Sequence, residues 1–183
     1  IFYLGKKIAY SQLNEHADRF ATALSNLGVK QGDRVALYLP NIPQFTITFY
    51  AVSKIGAINT AISPLYKERE LEHQINDSDA ETLIYLDLLH PTVTAIKDKT
   101  KLKNLIAANI GEYLPTTKRT IGTLLGKVPK HEIPKETGTH KFTQLIETTQ
   151  PNPPPPAITP KNDLIALQYT GGTTGTPKAA MLT

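Results

Sequence analysis

Asp163-Leu164-Ile165-Ala166-Leu167-Gln168-Tyr169-Thr170-Gly171-Gly172-Thr173-Thr174-Gly175-Thr176-Pro177-Lys178 is the stretch on which the reading of the chain turns. Its first seven residues, 163–169, are a mostly apolar run that predicts a buried strand. The segment 169–178 then holds three of the eleven glycines, four threonine hydroxyls and one lysine. Glycine allows close backbone approach and positive φ without a Cβ clash. Successive backbone N–H groups in such a loop form a concave anion site. Threonine hydroxyls add donors, and lysine adds a movable positive charge. That inventory suits a polyphosphate, and a strand delivering it at its carboxyl end is where α/β proteins bind ligands. A flexible Gly/Thr linker is the plain alternative; the strand ahead of it and the closing Pro177-Lys178 argue against that.

This loop is not the common NTPase P-loop, in which lysine directly follows the last glycine and a metal-binding hydroxyl comes next. Here Thr176 and Pro177 separate Gly175 from Lys178, and Ala179 follows.

Working outward, strand patterns alternate with helix patterns. A hairpin is predicted around Gly5-Lys6-Lys7. Ser11 is placed to cap a helix whose stripe is Leu13, Ala17, Phe20, Ala21, Leu24 and Leu27, with Gly28 as its stop. His16 lies off that stripe and is expected at the surface. Strands are predicted over 34–39, 57–62, 82–86 and 105–108, and helices over 44–54, 67–76 and within 89–100 after Pro91. Such alternation predicts an α/β fold, a largely parallel sheet flanked by helices, with right-handed crossovers.

From 111 to 139 the pattern weakens, with only a short amphipathic turn or two at Ile121, Leu124, Leu125 and Val128, and 142–147 reads as a last helical turn. The run Pro151-Asn152-Pro153-Pro154-Pro155-Pro156 is expected to be a stiff connector rather than a PxxP ligand.

Charge is uneven. The net charge is +4, yet residues 97–141 carry ten Lys and Arg against four Asp and Glu. A solvated surface loop is the bland explanation; anionic lipid is the functional one. The basic region lacks interleaved aromatic residues for base stacking, so no nucleic-acid partner is expected. Cysteine is absent, which removes disulfides and thiolate chemistry. His73, His90, His131 and His140 lack zinc spacing, Asp77 and Asp79 read as a helix-ending turn, and no G-x-S-x-G elbow is present, so no metal site is expected.

Residues 169–183 resemble the signature loop of the adenylate-forming superfamily: acyl-CoA ligases, luciferases and peptide-synthetase adenylation domains. The double-threonine form, with Gln168-Tyr169 before it and Met181-Leu182-Thr183 after it, is most similar to long- and medium-chain fatty acid–CoA ligases, bacterial long-chain ones in particular. Ala179 departs from the commoner glycine. Weaker blocks in the right order add support: Gly32-Asp33-Arg34-Val35-Ala36, Gly56-Ala57-Ile58, Pro64-Leu65-Tyr66 and Arg69-Glu70-Leu71.

The resemblance implies the amino-terminal portion of an AMP-binding domain, with 109–141 a basic irregular insertion, 151–160 a Pro-rich connector and 169–178 the phosphate-binding loop. It implies an ATP-dependent ligase that activates a long-chain fatty acid as acyl-adenylate and passes it to coenzyme A, with the fragment alone inactive. Thr170, Gly171, Gly172, Thr173, Thr174 and Gly175 would hold the β- and γ-phosphates, Lys178 would be catalytic, Tyr169 would anchor the loop to the sheet, and Mg²⁺ would accompany ATP. Expected partners are fatty acid, ATP, coenzyme A, a membrane surface reached through 111–135 and a second copy in a homodimer. The expected location is the cytoplasm, peripheral at the inner face of the membrane. The alternatives are a non-catalytic nucleotide- or membrane-binding module and an adenylating relative acting on aryl or amino acids. An aromatic-Gly-x-Thr-Glu block and a later catalytic lysine in the extended reading frame would separate the first from the ligase.

Overall fold

The structure is a computed structural model that describes residues 1–126, 128–134, 137–170 and 177–183. A short hairpin comes first, β1 (Phe2–Tyr3) and β2 (Lys6–Lys7), followed by helix α1 (Tyr10–Asn26). Strands and helices then alternate: β3 (Arg34–Tyr38), α2 (Pro43–Lys54), β4 (Ile58–Ala61), α3 (Glu68–Ser78), β5 (Thr82–Leu86), α4 (His90–Lys97) and β6 (Asn104–Ala108). Helix α5 (Thr116–Leu124), β7 (His140–Lys141), α6 (Phe142–Thr148), β8 (Ala166–Thr170) and β9 (Lys178–Leu182) complete the order.

Among the described residues the main sheet has seven strands in the order β7-β6-β5-β3-β4-β8-β9. Every pairing from β7 to β8 is parallel, and β9 closes the edge antiparallel to β8. Strand alternation sorts the core into two layers, because successive side chains point to opposite faces. Val35, Leu37, Ile84 and Ile106 pack with Phe20 and Leu24 of α1, Ile47 of α2 and Phe142 of α6. Ala36, Tyr38, Leu83, Tyr85 and Leu105 pack with Leu71 and Ile75 of α3 and Val93 and Ile96 of α4. Each fully buried Leu, Ile or Phe contributes roughly 1.5–3 kcal/mol.

Several local expectations change. Helix α1 starts one residue before Ser11, at Tyr10, and Gln12 reaches back so that its Oε1 accepts the Ala9 N–H at 3.1 Å. Ser11 is therefore inside the helix and not its cap. His16 is half-buried, with Nδ1 2.9 Å from the Tyr113 hydroxyl, because a residue distant in sequence folds over that face. The strand predicted over 163–169 begins only at Ala166: Asp163 accepts the Thr159 N–H and makes a turn there instead. Ile121 and Leu124 of the expected amphipathic turn lie in a nine-residue helix, α5, which ends before Leu125 and Val128. β9 is a strand that the apolar pattern did not predict.

The Pro-rich stretch is tied down. The Gln31 amide bonds both the carbonyl and the N–H of Ala157 (2.7 and 3.1 Å), and Asn152 donates to Thr22. Gly56, at φ +69°, sits where a Cβ would meet Pro156 and Gln31 at 2.9 Å.

Candidate nucleotide-binding site

The carboxyl edge of the parallel sheet is where helix-linked strands leave a crevice for ligands. β8 is built into that edge. Its register against β4 pairs Asn59 with Ala166 and Ala61 with Gln168. Buried Asn59 holds the strand's start, its backbone and side-chain N–H groups both donating to the Ile165 carbonyl. Thr170 ends β8, Lys178 begins β9, and the two are register partners. Partners in an antiparallel ladder present side chains on the same face. The Thr170 hydroxyl donates to the Lys178 carbonyl at 3.3 Å, and both residues are exposed. A hydroxyl donor and an ammonium thus lie on one face of the strand pair, where the connecting segment leaves β8 and enters β9. Gly171, Gly172, Thr173, Thr174 and Gly175, the remaining residues assigned to phosphate binding, lie outside the described residues.

Tyr169 points to the opposite face of β8, as the two-residue period requires. Its hydroxyl donates to Asp77 Oδ2 of α3 at 2.5 Å. Burial, and then the Asp77 carboxylate, push the phenol well above its usual range. Asp77 is therefore not a purely local turn residue. Asp79 takes the left-handed conformation at the helix end (φ 52°) and pairs with Lys101, whose hydrogen bond and charge lower its carboxyl pKa. Asp87, after β5, accepts from the Leu88 N–H and from Asn109 Nδ2 at 2.8 and 2.7 Å. The three carboxylates go to three different tasks, and among the described residues no three His, Cys, Asp or Glu come together to hold a metal ion.

A second polar region escaped the sequence reading. A cavity of about 440 Å³ opens at the carboxyl ends of β5, β6 and β7, lined by Asp87, Asn109, Glu112, His131, Thr139 and Lys141 among others. Burial pushes the Glu112 carboxyl up to about 7, against the opposing pull of hydrogen bonds from Gln44 (2.8 Å) and Thr143 (3.3 Å). Beside it the Tyr85 hydroxyl lies 2.7 Å from His90 Nδ1, and burial raises the phenol to about 12. Burial and neighbouring His131 lower the His90 pKa. Glu112 carried no local signal, because its surroundings come from α2 and α6.

Helix α5 leaves Ile121 and Leu124 exposed, and Leu125 just past its end is exposed too. Lys118 donates to the Leu4 carbonyl and keeps its charge, whereas Lys130 pairs with Glu132; Lys127 lies outside the described residues. No helix among the described residues is long and apolar enough to cross a membrane.

A parallel α/β sheet thus leads through β8 into the Gly/Thr segment and returns through β9. The sequence profile of the AMP-binding enzyme family matches residues 1–183, and the chain belongs to that family. A long-chain-fatty-acid–CoA ligase of Bacillus subtilis (strain 168) is 36% identical over 185 residues, covering 100% of this chain and 33% of the relative. One from Escherichia coli O6:H1 is 36% identical over 190 residues, covering 98% and 33%. Among solved structures, a long-chain-fatty-acid–CoA ligase from Archaeoglobus fulgidus superposes with TM-score 0.76 at 25% identity, over 100% of this chain and 32% of that one. An anthranilate CoA ligase in complex with anthranoyl-AMP has TM-score 0.79 at 24% identity, over 96% and 30%, and so shares the fold. The chain spans about a third of the length of the curated relatives it matches.

Proposed function

We propose that the protein carrying this chain is an ATP-dependent fatty acid–CoA ligase acting on long-chain acids. The observation that carries the reading is the Thr170–Lys178 register pair at the mouth of the signature hairpin, in a chain whose family and relatives use this chemistry by name. A carboxylate is a poor acylating agent. Its oxygen attacks the α-phosphorus of ATP, the bond to the bridging oxygen breaks, and pyrophosphate leaves. The thiol of coenzyme A then attacks the acyl carbon, and AMP leaves.

Thr170, Gly171, Gly172, Thr173, Thr174 and Gly175 donate to the β- and γ-phosphates. Lys178 offsets the charge that builds on departing pyrophosphate, the kind of aimed electrostatic stabilisation that dominates many enzymatic rate accelerations. Magnesium bound with the nucleotide would neutralise further phosphate charge. The described residues do not form a cage for it, so no step is assigned to the metal.

The fatty substrate partitions into membranes, and α5 offers an inner-leaflet contact. Its exposed Ile121 and Leu124, with Leu125 just past its end, lie near Lys118 and Arg119, which combines apolar insertion with attraction to anionic headgroups. Neutralising Lys118, Arg119, Lys127 and Lys130 together should weaken binding to anionic vesicles; unchanged binding refutes that contact. The catalytic reading is tested by ATP–pyrophosphate exchange in the full-length protein with fatty, aryl and amino acids. Exchange should be strongest with long acyl chains. Exchange driven only by aryl or amino acids would replace the substrate class.

A further inference from the structure

We infer that Asp77 is a positioning residue for nucleotide activation: through the Tyr169 hydroxyl it fixes the end of β8, and with it the Thr170–Lys178 pair. The inference rests on the ligase reading above and adds a residue to it.

Two observations carry it. The first is geometry. Tyr169 immediately precedes Thr170, and its hydroxyl donates to Asp77 Oδ2 at 2.5 Å, across 92 positions of sequence. A hydrogen bond to an ionised acceptor is shorter and stronger than a neutral one. β8 is thus clamped at both ends. Asn59 holds its start at Ile165, and Asp77 holds the residue next to its last. Between those clamps the strand has little freedom to slide or twist, so α3 helps to hold the face that the β4 and β9 ladders give to Thr170 and Lys178.

The second is the local cost of having an aspartate there. Asp77 lies in the last turn of α3, beside the helix carboxyl end. The helix dipole disfavours an anion at that end. Its carboxylate is exposed, so burial does not call for it, and the partner that the described residues give it is Tyr169. Helix stability alone would favour almost any neutral or basic residue at this position. The bond across to β8 is what the aspartate supplies. The sequence separation explains why it read as a simple turn residue.

The two roles separate experimentally. Asp77→Ala relieves the helix end, so a residue important only to α3 would leave activity untouched and the melting temperature unchanged or raised. A positioning residue would instead change how the nucleotide is held. In the full-length protein, Asp77→Ala and Tyr169→Phe should each raise the KM for ATP about fivefold, on the order of one net hydrogen bond. The KM for coenzyme A should stay the same. The double variant should be no worse than either single one, since both remove the same contact. Asp77→Asn keeps an acceptor oxygen and should recover most of the affinity. Amide hydrogen exchange across 166–182 should quicken in Asp77→Ala and Tyr169→Phe.

An ATP KM that does not move, or single effects that multiply in the double variant, overturns the proposal. Exchange over 166–182 that stays as in the wild type overturns it too, and this readout does not depend on catalysis. A wild-type protein without ATP–pyrophosphate exchange would instead sink the ligase reading.

Discussion

Replacing Glu112 with Gln should make the protein's stability less sensitive to pH. The carboxyl sits between α2 and α6, accepts hydrogen bonds from Gln44 and Thr143, and is raised by burial from 4.5 to about 7. A group whose folded pKa is raised holds its proton more tightly in the folded chain. Its stabilising contribution is fully present below about 4.5 and is lost as pH rises through about 7. At about 1.4 kcal/mol per pH unit, the move from 4.5 to about 7 corresponds to about 3 kcal/mol. Glu112 keeps some contact with solvent, which reduces this to about 1–2 kcal/mol.

Glutamine mimics the protonated form. It also brings N–H donors close to Gln44, whose buried Oε1 lacks a hydrogen-bond partner among the described residues. Urea unfolding followed by circular dichroism should therefore find Glu112→Gln about as stable as wild type at pH 4.5 and about 1–2 kcal/mol more stable at pH 8. A variant whose difference from wild type is the same at both pH values would refute the reasoning.

Other perturbations test the scaffold. Phe142→Ala empties a site with no solvent exposure, where the ring lies 4.5 Å from Phe20; it should lower stability by about 3–5 kcal/mol in chemical unfolding. Gly56→Ala should lose more than Gly28→Ala. Both have positive φ, worth about 1–2 kcal/mol, but only Gly56 has Pro156 and Gln31 at 2.9 Å, whereas Gly28 faces open space. Equal losses would show that the Pro-rich strap does not press on that turn.

The fold was largely legible because its core strands, β3 to β6, are short apolar runs divided by amphipathic stripes. Leu13, Phe20 and Leu24 mark the buried face of α1 directly. Contacts between distant segments were not legible. His16 read as a surface residue because Tyr113 lies 97 positions away, and Asp77 read as a turn residue because Tyr169 lies 92 positions away. β9 was missed because Lys178-Ala179-Ala180-Met181-Leu182 has little strand alternation of its own and takes its form from pairing with β8. Thr170 and Lys178 were singled out by the motif and its family resemblance, while their placement as register partners needed the sheet.

The most direct test of the nucleotide-gripping hairpin is pyrophosphate release by the full-length protein with magnesium, ATP, coenzyme A and a long-chain fatty acid, comparing wild type with Lys178→Ala. The account predicts acid-dependent release in wild type, slowed on the order of 10²-fold in the variant. Release at the wild-type rate without the Lys178 ammonium, or no acid-dependent release from wild type, would contradict it.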